Sequence, residues 1–317
     1  MSSTVTQPLQ RVATRESYGK ALAELGAERA DIVVLDADLS GSTKTAVFAK
    51  RFPERFINVG VAEANMMGVA AGLSFSGLTA FCSTFAMFAA GKAYEQVRQE
   101  IALPKANVKI CATHAGVTVG EDGASHQVLE DIALMRVLPF MHVIVPADGL
   151  EAEQAVRAAA ATPGPFYVRL SRLATPLFLP PDHRFTLGRA ARLHEGEDVT
   201  LIGTGVTSWF CLRAAEELAT LGIRARVLNM STVKPLDVEA VAAAAQQTGG
   251  IVTVEEHQRI GGLGGAVAEC VAETYPCRVT RLGMRDRFGE SGPGDKLLEH
   301  FGMTDPAIVK AARELLA

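Results

Sequence analysis

Glu63 is the residue of this sequence that most clearly invites a chemical role. It follows the short strand pattern FINVG at 56–60 and lies in the first turn of a predicted helix at 62–77, which has almost no polar position. Carboxylates are rarely buried unless they are paired or used in chemistry. A first-turn acid can also complement the helix dipole, but that role predicts a solvated helix face, which the apolar neighbours do not offer. Glu63 is therefore a candidate functional acid.

A second concentration of ionisable groups lies in the segment 114–131. The predicted strand NVKICATHA at 107–115 delivers His114 into the glycine-rich loop GVTVGEDGASHQVLED, which contains Glu121, Asp122 and His126. Loops at the edge of a sheet carry function more often than core segments do. Two histidines that flank GEDG therefore predict a functional loop.

Four further residues lie where predicted strands end. Asp38 and Ser42 follow the strand IVVLDAD at 32–38, where open α/β sheets place ligands, although this segment could equally cap the next helix. Phe85 and Phe88 follow the strand LTAFCST and share a helix face. Aromatic pairs at this spacing usually pack in a core, and they could equally form a flat apolar wall for a ring.

The elements that position these residues alternate between strands and helices. From Arg11 to Arg172, short apolar runs alternate with helical patterns, which is typical of a parallel sheet covered by helices. The segment 173–190 contains three prolines without periodicity and is predicted as a linker. Strands and helices alternate again up to residue 317. We expect an α/β fold with two doubly wound sheet domains, at 8–172 and 191–317, of which the second is smaller.

Composition excludes several classes of function. The chain has 317 residues and a net charge of −4, so no basic excess indicates nucleic-acid binding. No stretch approaches the ~18 apolar residues of a membrane span, and the amino-terminal MSSTVTQPLQR lacks the apolar core of a signal peptide, so we expect a cytoplasmic protein. The five cysteines form no close CxxC pair and are predicted as core residues rather than zinc ligands.

Two glycine patterns in the second unit resemble nucleotide-binding loops only weakly. GTGVTS at 203–208 follows a strand but lacks the third glycine of GxGxxG, and no acid ends the next strand. IGGLGGA at 260–266 opens a predicted helix and is compatible with close helix packing alone. A dinucleotide-dependent dehydrogenase is therefore a weaker alternative.

The ordered set of motifs resembles the carboxyl-terminal half of the transketolase family. VATR, LDADLSGS, NVGVAEANMMGVAAGLS, TFAMF, THAGVTVGEDGASHQ and LSR match family motifs in order, and the resemblance covers nearly the whole chain. It implies a thiamine-diphosphate pyrimidine-binding domain followed by the smaller transketolase C-terminal domain.

This resemblance implies thiamine diphosphate as the cofactor. Glu63 would hydrogen-bond to the pyrimidine N1′ atom and so promote loss of the thiazolium proton, a role that a dry, apolar surrounding favours. Phe85 and Phe88 would stack on the pyrimidine ring, and Asp38 would lie near the thiazolium side.

A sugar phosphate is the implied substrate. The residues that match the family's phosphate-binding positions are Arg15, Ser42, His114 and Arg172. Guanidinium groups suit this task because their fork matches phosphate oxygens. Asp122 and His126 match groups that contact the donor hydroxyls, and His126 would also steer proton transfers. The implied reaction is transfer of a two-carbon ketol unit from a ketose phosphate to an aldose phosphate.

The family's diphosphate-binding signature, GDG followed by NN, is absent from the sequence. GEDG at 120–123 and ADG at 147–149 have no NN downstream. The resemblance therefore implies a partner chain that carries GDG and NN and binds the diphosphate. That partner would also ligate most of the Mg²⁺ or Ca²⁺ ion, so no metal ligand is assigned to this chain. We expect an α2β2 assembly in which the small-residue helix, at 62–72, is buried by the partner or by a second copy.

Three alternatives stay open at this point. A deoxyxylulose-phosphate-synthase-like enzyme shares much of the loop but is normally one long chain. The beta subunit of a 2-oxo-acid dehydrogenase shares the two-domain layout and the glutamate, but we do not expect it to have the GEDG loop. The chain could also be a noncatalytic assembly subunit, against which the presence of Glu63 and of both loop histidines argues.

Overall fold

The computed structural model describes residues 9–317. The predicted domain start at residue 8 and the first eight residues of the amino-terminal segment lie outside the described part. The strands are β1 (Arg11–Ala13), β2 (Ile32–Asp36), β3 (Phe56–Asn58), β4 (Thr79–Ser83), β5 (Val108–Ala112), β6 (His142–Ile144), β7 (Phe166–Arg169), β8 (Ala174–Pro176), β9 (Ala191–His194), β10 (Val199–Gly203), β11 (Ala225–Asn229), β12 (Thr232–Lys234), β13 (Ile251–Gln258) and β14 (Val279–Met284).

The α-helices are α1 (Thr14–Glu28), α2 (Ser40–Thr43), α3 (Ala46–Arg51), α4 (Glu63–Phe75), α5 (Tyr94–Gln96), α6 (Asp131–Val137), α7 (Gly149–Ala161), α8 (Thr207–Thr220), α9 (Val238–Gln247), α10 (Leu263–Glu273), α11 (Gly294–His300) and α12 (Asp305–Leu316). Short 3₁₀ segments lie at Pro53–Arg55 and Val117–Asp122, and π-helical segments at Phe88–Lys92 and Val97–Ala102.

The first unit is built on a seven-stranded sheet in the order β12-β6-β7-β5-β4-β2-β3. All neighbours from β6 to β3 pair in parallel, and β2, β4 and β5 are buried along their whole length. Continuous apolar strands of this kind are typical of a sheet covered on both faces. Successive residues of β2 enter two different apolar clusters, Val33 with Met66 on one face and Val34 with Tyr18 on the other.

The second unit has a five-stranded sheet in the order β14-β13-β10-β11-β9, parallel except for β9. Leu201 and Ile202, neighbours on β10, again belong to clusters on opposite faces. The prediction of an α/β fold with two doubly wound sheets, the second smaller, is confirmed.

One strand of the second unit completes the sheet of the first. β12 pairs antiparallel with β6, so that Thr232 lies opposite Ile144. Arg169 on β7 forms a buried ion pair with Asp131, Nε to Oδ2 2.8 Å, and its Nη2 donates to the carbonyl oxygen of Glu256 in the second unit at 2.9 Å. The two units therefore share a sheet and a buried polar contact. The sequence predictions did not include β12, because three residues carry too little pattern to indicate a strand.

Local structure differs from the predictions in three places. The segment 173–190 contains β8, which pairs antiparallel with β1, so this linker is partly ordered into a strand. The helix on which Phe85 and Phe88 were predicted to share a face is interrupted by two π-helical segments, which are common at functional sites. α11 was not predicted, because its seven residues follow a glycine-rich segment.

Four cysteines are buried, as predicted, namely Cys82, Cys111, Cys211 and Cys270, whereas Cys277 is partly exposed. Between residues 9 and 317, no helix has both the length and the apolar character needed to cross a membrane.

Candidate active site

The predicted site residues converge at one edge of the first sheet. Asp38 follows β2, Glu63 follows β3, Phe85 follows β4, His114 follows β5 and Arg172 follows β7. These strands are parallel, so their carboxyl ends meet at the same edge, which is where open α/β sheets bind ligands. Ser171 N also donates to Thr14 Oγ1 at 2.7 Å, which brings the start of α1 to this edge.

Glu63 begins α4, and its side chain is only 2% exposed. The expectation of a wholly apolar surrounding was wrong in one respect, because Lys92 Nζ donates to Glu63 Oε2 at 2.5 Å. Lys92 ends the π-helical segment that begins at Phe88, so this contact ties the acid to the aromatic segment. The Lys92 side chain is 52% exposed. Water can therefore solvate its ammonium group when Glu63 forms a hydrogen bond to another group in place of Lys92.

Phe85 and Phe88 form a flat aromatic pair beside the two loop histidines. Their ring centroids are 5.9 Å apart and their planes differ by 11°. His114 stacks on Phe85 with a centroid distance of 3.8 Å, and the ring of His126 meets Phe88 edge-on at 5.6 Å. Both phenylalanines are only partly buried, so the pair offers aromatic surface on which a planar ring can stack.

Arg15, Ser42 and His114 are brought into direct contact. Arg15 Nη1 donates to His114 Nε2 at 2.9 Å and to the carbonyl oxygen of Ser42 at 3.0 Å. Arg15 Nε is buried and has no hydrogen-bond partner among the described residues. Burial lowers the pKa of Arg15, and the nearby Arg172 acts in the same direction. A partly buried guanidinium with an unused donor close to a second guanidinium is suited to an anionic ligand.

His114 contributes no positive charge to this cluster. Burial lowers its pKa to about 3, and the guanidinium groups of Arg15 and Arg172 add to the effect. Because the Arg15 N–H can only donate, His114 Nε2 accepts, and the ring proton lies on Nδ1, which donates to Thr113 Oγ1 at 2.8 Å. In this arrangement a neutral His114 orients Arg15.

Arg172 faces the acids of the GEDG loop. Its Nη1 lies 3.5 Å from Glu121 Oε2 and 3.6 Å from Asp122 Oδ2, and it also donates to the carbonyl oxygen of Val119. Glu121 and Asp122 are both exposed. The loop that was predicted to be functional therefore lies beside Arg172, a predicted phosphate-binding residue. His126 of the same loop lies beside Phe88.

Asp38 is held in a left-handed conformation, with φ +65°, which few residues other than glycine adopt. Asn58 Nδ2 donates to Asp38 Oδ1 at 3.0 Å, and Asp38 N donates to Asn58 Oδ1 at 3.1 Å. The side chain of Asp38 therefore pairs with the end of β3, and the alternative that it caps α2 is wrong.

The support for this loop is Asp36, which the sequence predictions missed. Its carboxylate accepts from Leu39 N at 2.6 Å and from the hydroxyl groups of Thr43 and Thr45 at 2.6 and 2.8 Å. Burial raises the pKa of Asp36, an effect that these three hydrogen bonds oppose. An acid at the end of an otherwise apolar strand was a usable signal, whereas nothing in the sequence indicated that Lys92 would contact Glu63.

The two glycine patterns of the second unit serve packing. Glu255 Oε2 and Oε1 accept from Leu263 N and Gly264 N at 2.7 and 2.8 Å, so the amino terminus of α10 is occupied by a carboxylate of the protein itself. A Cβ atom on Gly203 would lie 2.7 Å from Ser208 Cα, so the first pattern allows α8 to approach β10. Neither pattern therefore supports the dehydrogenase alternative. Within residues 9–317, no group of three or more His, Cys, Asp or Glu side chains is arranged to hold a metal ion.

Comparison with known proteins agrees with this architecture. Residues 10–176 match the transketolase pyrimidine-binding domain, and residues 188–308 match the transketolase C-terminal domain. The chain is 49% identical to a putative transketolase C-terminal section of Methanocaldococcus jannaschii, over 95% of each chain. It is 44% identical to a 6-deoxy-6-sulfo-D-fructose transketolase subunit of Clostridium sp. strain MSTE9, over 95% of this chain and 94% of the relative.

A solved structure is also similar throughout its length. It is described as a split gene transketolase, an inactive beta4 tetramer, and it is 54% identical to this chain with a TM-score of 0.90, covering 96% of this chain and 98% of its own. Family domains, relatives and structure agree, and we conclude that the chain belongs to the transketolase family and contains that family's pyrimidine-binding and C-terminal domains in that order.

Proposed function

We propose that the chain is a subunit of a thiamine-diphosphate-dependent transketolase that moves a two-carbon ketol unit from a ketose phosphate to an aldose phosphate. The observation that carries this proposal is Glu63, a carboxylate that is 2% exposed at the carboxyl-end edge of a parallel sheet and is tied through Lys92 to the aromatic pair. A buried acid beside a flat aromatic wall is the arrangement that an aminopyrimidine ring requires.

The residues present fit the pyrimidine half of the cofactor. When bound, thiamine diphosphate supplies a thiazolium carbon that becomes nucleophilic once its proton is lost. Glu63 holds the pyrimidine N1′ atom by a hydrogen bond, and Phe85 with Phe88 provides the stacking surface. Asp38, oriented by Asn58, would hold the thiazolium side of the cofactor. Burial of Glu63 excludes water from this hydrogen bond, which strengthens it relative to the same bond in water.

Arg15 and Arg172 bind the terminal phosphate of the donor. Arg15 supplies its Nε, which has no other partner among the described residues. Arg172 supplies its Nη1, which exchanges Glu121 and Asp122 for phosphate oxygens. Both are charge-assisted donors. Ser42 and the neutral His114 hold Arg15 in place. Asp122 and His126 contact the donor hydroxyls, and His126 moves protons at the reacting carbons.

A partner chain completes the site. Support comes from the absence of GDG and NN in this sequence and from the relatives, which are described as a C-terminal section and as a subunit. The partner binds the diphosphate and the Mg²⁺ or Ca²⁺ ion, in an α2β2 assembly. Two exposed apolar side chains lie at the ends of α4, namely Val61 just before the helix at 72% exposure and Phe75, its last residue, at 62%, and this helix is the proposed interface.

Reconstitution tests the proposal directly. The chain is mixed with a second chain that carries GDG and NN, together with thiamine diphosphate and Mg²⁺, and is given fructose 6-phosphate as donor and ribose 5-phosphate as acceptor. We expect ketol transfer by the mixture and none by either chain alone. A mixture that binds the cofactor but does not transfer the ketol unit would refute the proposal.

The same preparation separates the other family functions. Pyruvate is offered in place of fructose 6-phosphate, with the same acceptor or with an aldehyde. Turnover of pyruvate in preference to the ketose phosphate would indicate a deoxyxylulose-phosphate-synthase-like or 2-oxo-acid-dehydrogenase-like subunit. Cofactor binding that survives Glu63→Ala without loss of affinity would indicate an assembly subunit.

A further inference from the structure

The loop 116–127 carries the proposed donor-contacting residues, and it is contacted from the second unit as well as by Arg172 of the first unit. Its 3₁₀ segment, Val117–Asp122, is broken at Gly120, which has φ +85° and ψ −123°. Val117 to Gly120 are buried, whereas Glu121 and Asp122 are exposed. Such an irregular segment holds one conformation only if neighbouring groups fix its backbone.

The first of these groups is Glu256 on β13 of the second unit. The side chain is 3% exposed, and its Oε1 accepts from Thr118 N at 2.6 Å. The carboxyl group lies directly against Gly116, where an added Cβ atom would be 2.3 Å from the Glu256 carboxyl carbon and from Oε1. Gly116 has φ +79°, so both its conformation and this contact require glycine.

Gln127 provides a second connection between the loop and the second unit. It is 3% exposed, and its Nε2 donates to the carbonyl oxygens of Val117 and Gly120 at 3.1 Å and of Glu290 at 2.8 Å. One amide group thus closes the loop on itself and joins it to the segment 289–294.

That segment lies close along the loop backbone. A Cβ atom on Gly294 would be 3.1 Å from Thr118 Cα, and one on Gly123 would be 2.4 Å from Ser291 Oγ. The loop is therefore enclosed between Glu256 on one side and the segment 289–294 on the other, and both belong to the second unit.

We infer that Glu256 and Gln127 are positioning residues, through which the C-terminal domain holds the loop in the conformation that presents Asp122 and His126 to the donor. This inference rests on the proposed function. It assigns the C-terminal domain a role in donor affinity, whereas Glu63, the proposed pyrimidine ligand, lies outside the loop and makes its contact with Lys92.

The matched pair Glu256→Ala and Glu256→Gln tests this role in the two-chain complex with cofactor and Mg²⁺. Alanine removes the acceptor for Thr118 N, whereas glutamine keeps an amide oxygen in the same place. We expect alanine to raise the KM for fructose 6-phosphate about 10- to 100-fold, the range expected when a buried N–H group is left without its acceptor. The KM for thiamine diphosphate should change less than threefold. Glutamine should keep the donor KM within about threefold of wild type, as should the exposed control Glu299→Gln.

Hydrogen exchange of the peptide 116–123 is measured in parallel, because it reports on the loop without requiring turnover. We expect faster exchange in Glu256→Ala than in wild type, and exchange close to wild type in Glu256→Gln. Should the alanine variant not fold, Gln127→Leu replaces it, with the same expected rise in donor KM at unchanged cofactor KM.

The outcomes separate this inference from the proposed function. An active complex in which alanine leaves the donor KM unchanged, or in which glutamine and alanine are equally impaired, would overturn the positioning role alone. A rise of donor and cofactor KM by the same factor would also overturn it, because that result indicates a general structural defect. A wild-type complex without ketol transfer would overturn the proposed function and this role together, even if hydrogen exchange showed the loop to be held.

Discussion

Glu63→Gln is the substitution that most directly tests the proposed chemistry. Glutamine has nearly the same shape, so it leaves no cavity at a position that is 2% exposed, and its amide oxygen can still accept from Lys92 Nζ. What it cannot supply is a carboxyl group that shares a proton with the pyrimidine. The change therefore removes the chemical function and keeps the packing.

The expected loss follows from the role of a single acid–base group. Positioned acid–base groups contribute about 10²–10⁴-fold to rate, so kcat should fall by that factor, equal to about 2.7–5.4 kcal/mol of transition-state stabilisation at 1.36 kcal/mol per tenfold. Stability should change little. The glutamine oxygen keeps the hydrogen bond from Lys92 Nζ, and water solvates the ammonium group of Lys92, whose side chain is 52% exposed.

The assay uses the complex of this chain with its diphosphate-binding partner, saturated with thiamine diphosphate, fructose 6-phosphate and ribose 5-phosphate. Glu95→Gln is the matched control, because Glu95 is an exposed acid in α5, shortly after Lys92. The control should retain wild-type turnover. A Glu63→Gln complex that assembles and turns over within threefold of wild type would refute the assignment of Glu63 to the pyrimidine.

Two further predictions concern charge. Arg15→Gln should raise the KM for fructose 6-phosphate about 10- to 100-fold, because it removes charge-assisted donors to the phosphate. It should leave kcat/KM for unphosphorylated fructose unchanged. An equal loss with both sugars would contradict the phosphate role. Burial raises the pKa of Glu256 to about 7, with Arg169 and Thr118 opposing the effect and Asp131 adding to it. Since this folded-state pKa lies above the usual 4.5, the folded chain holds the proton more tightly than the unfolded chain, and the carboxyl group's contribution to stability is lost as pH rises from 4.5 to 7. Glu256→Gln should therefore raise Tm relative to wild type more at pH 8 than at pH 5, as measured by thermal denaturation, and an equal shift at both values would contradict this account.

Several features of the site could be predicted from sequence because they depend on local order. Asp38, Glu63, Phe85 and His114 each follow a recognisable strand, and parallel strands place such residues at one edge whatever the details of packing. The two sheets were predictable for the same reason, since alternating strands and helices leave few other ways to bury apolar faces.

Other features depend on contacts between residues that are far apart in sequence. Lys92, which contacts Glu63, lies at the end of a π-helical segment that no sequence pattern indicated. The neutral state of His114 follows from burial beside Arg15, a contact across 99 positions. Glu256 approaches Thr118 from the other domain, across 138 positions. Distances of this kind leave no trace in local periodicity.

Motifs and hydrophobic periodicity were enough to identify the family, the order of the two domains and the candidate acid, because both are local properties of the chain. The tertiary structure decided how those residues are paired and charged, namely Glu63 with Lys92, a neutral His114 with Arg15, and the loop 116–127 with the second domain. Burial and hydrogen bonding set the charge and the orientation of a side chain. They depend on contacts between distant parts of the chain, which exist only in the folded protein.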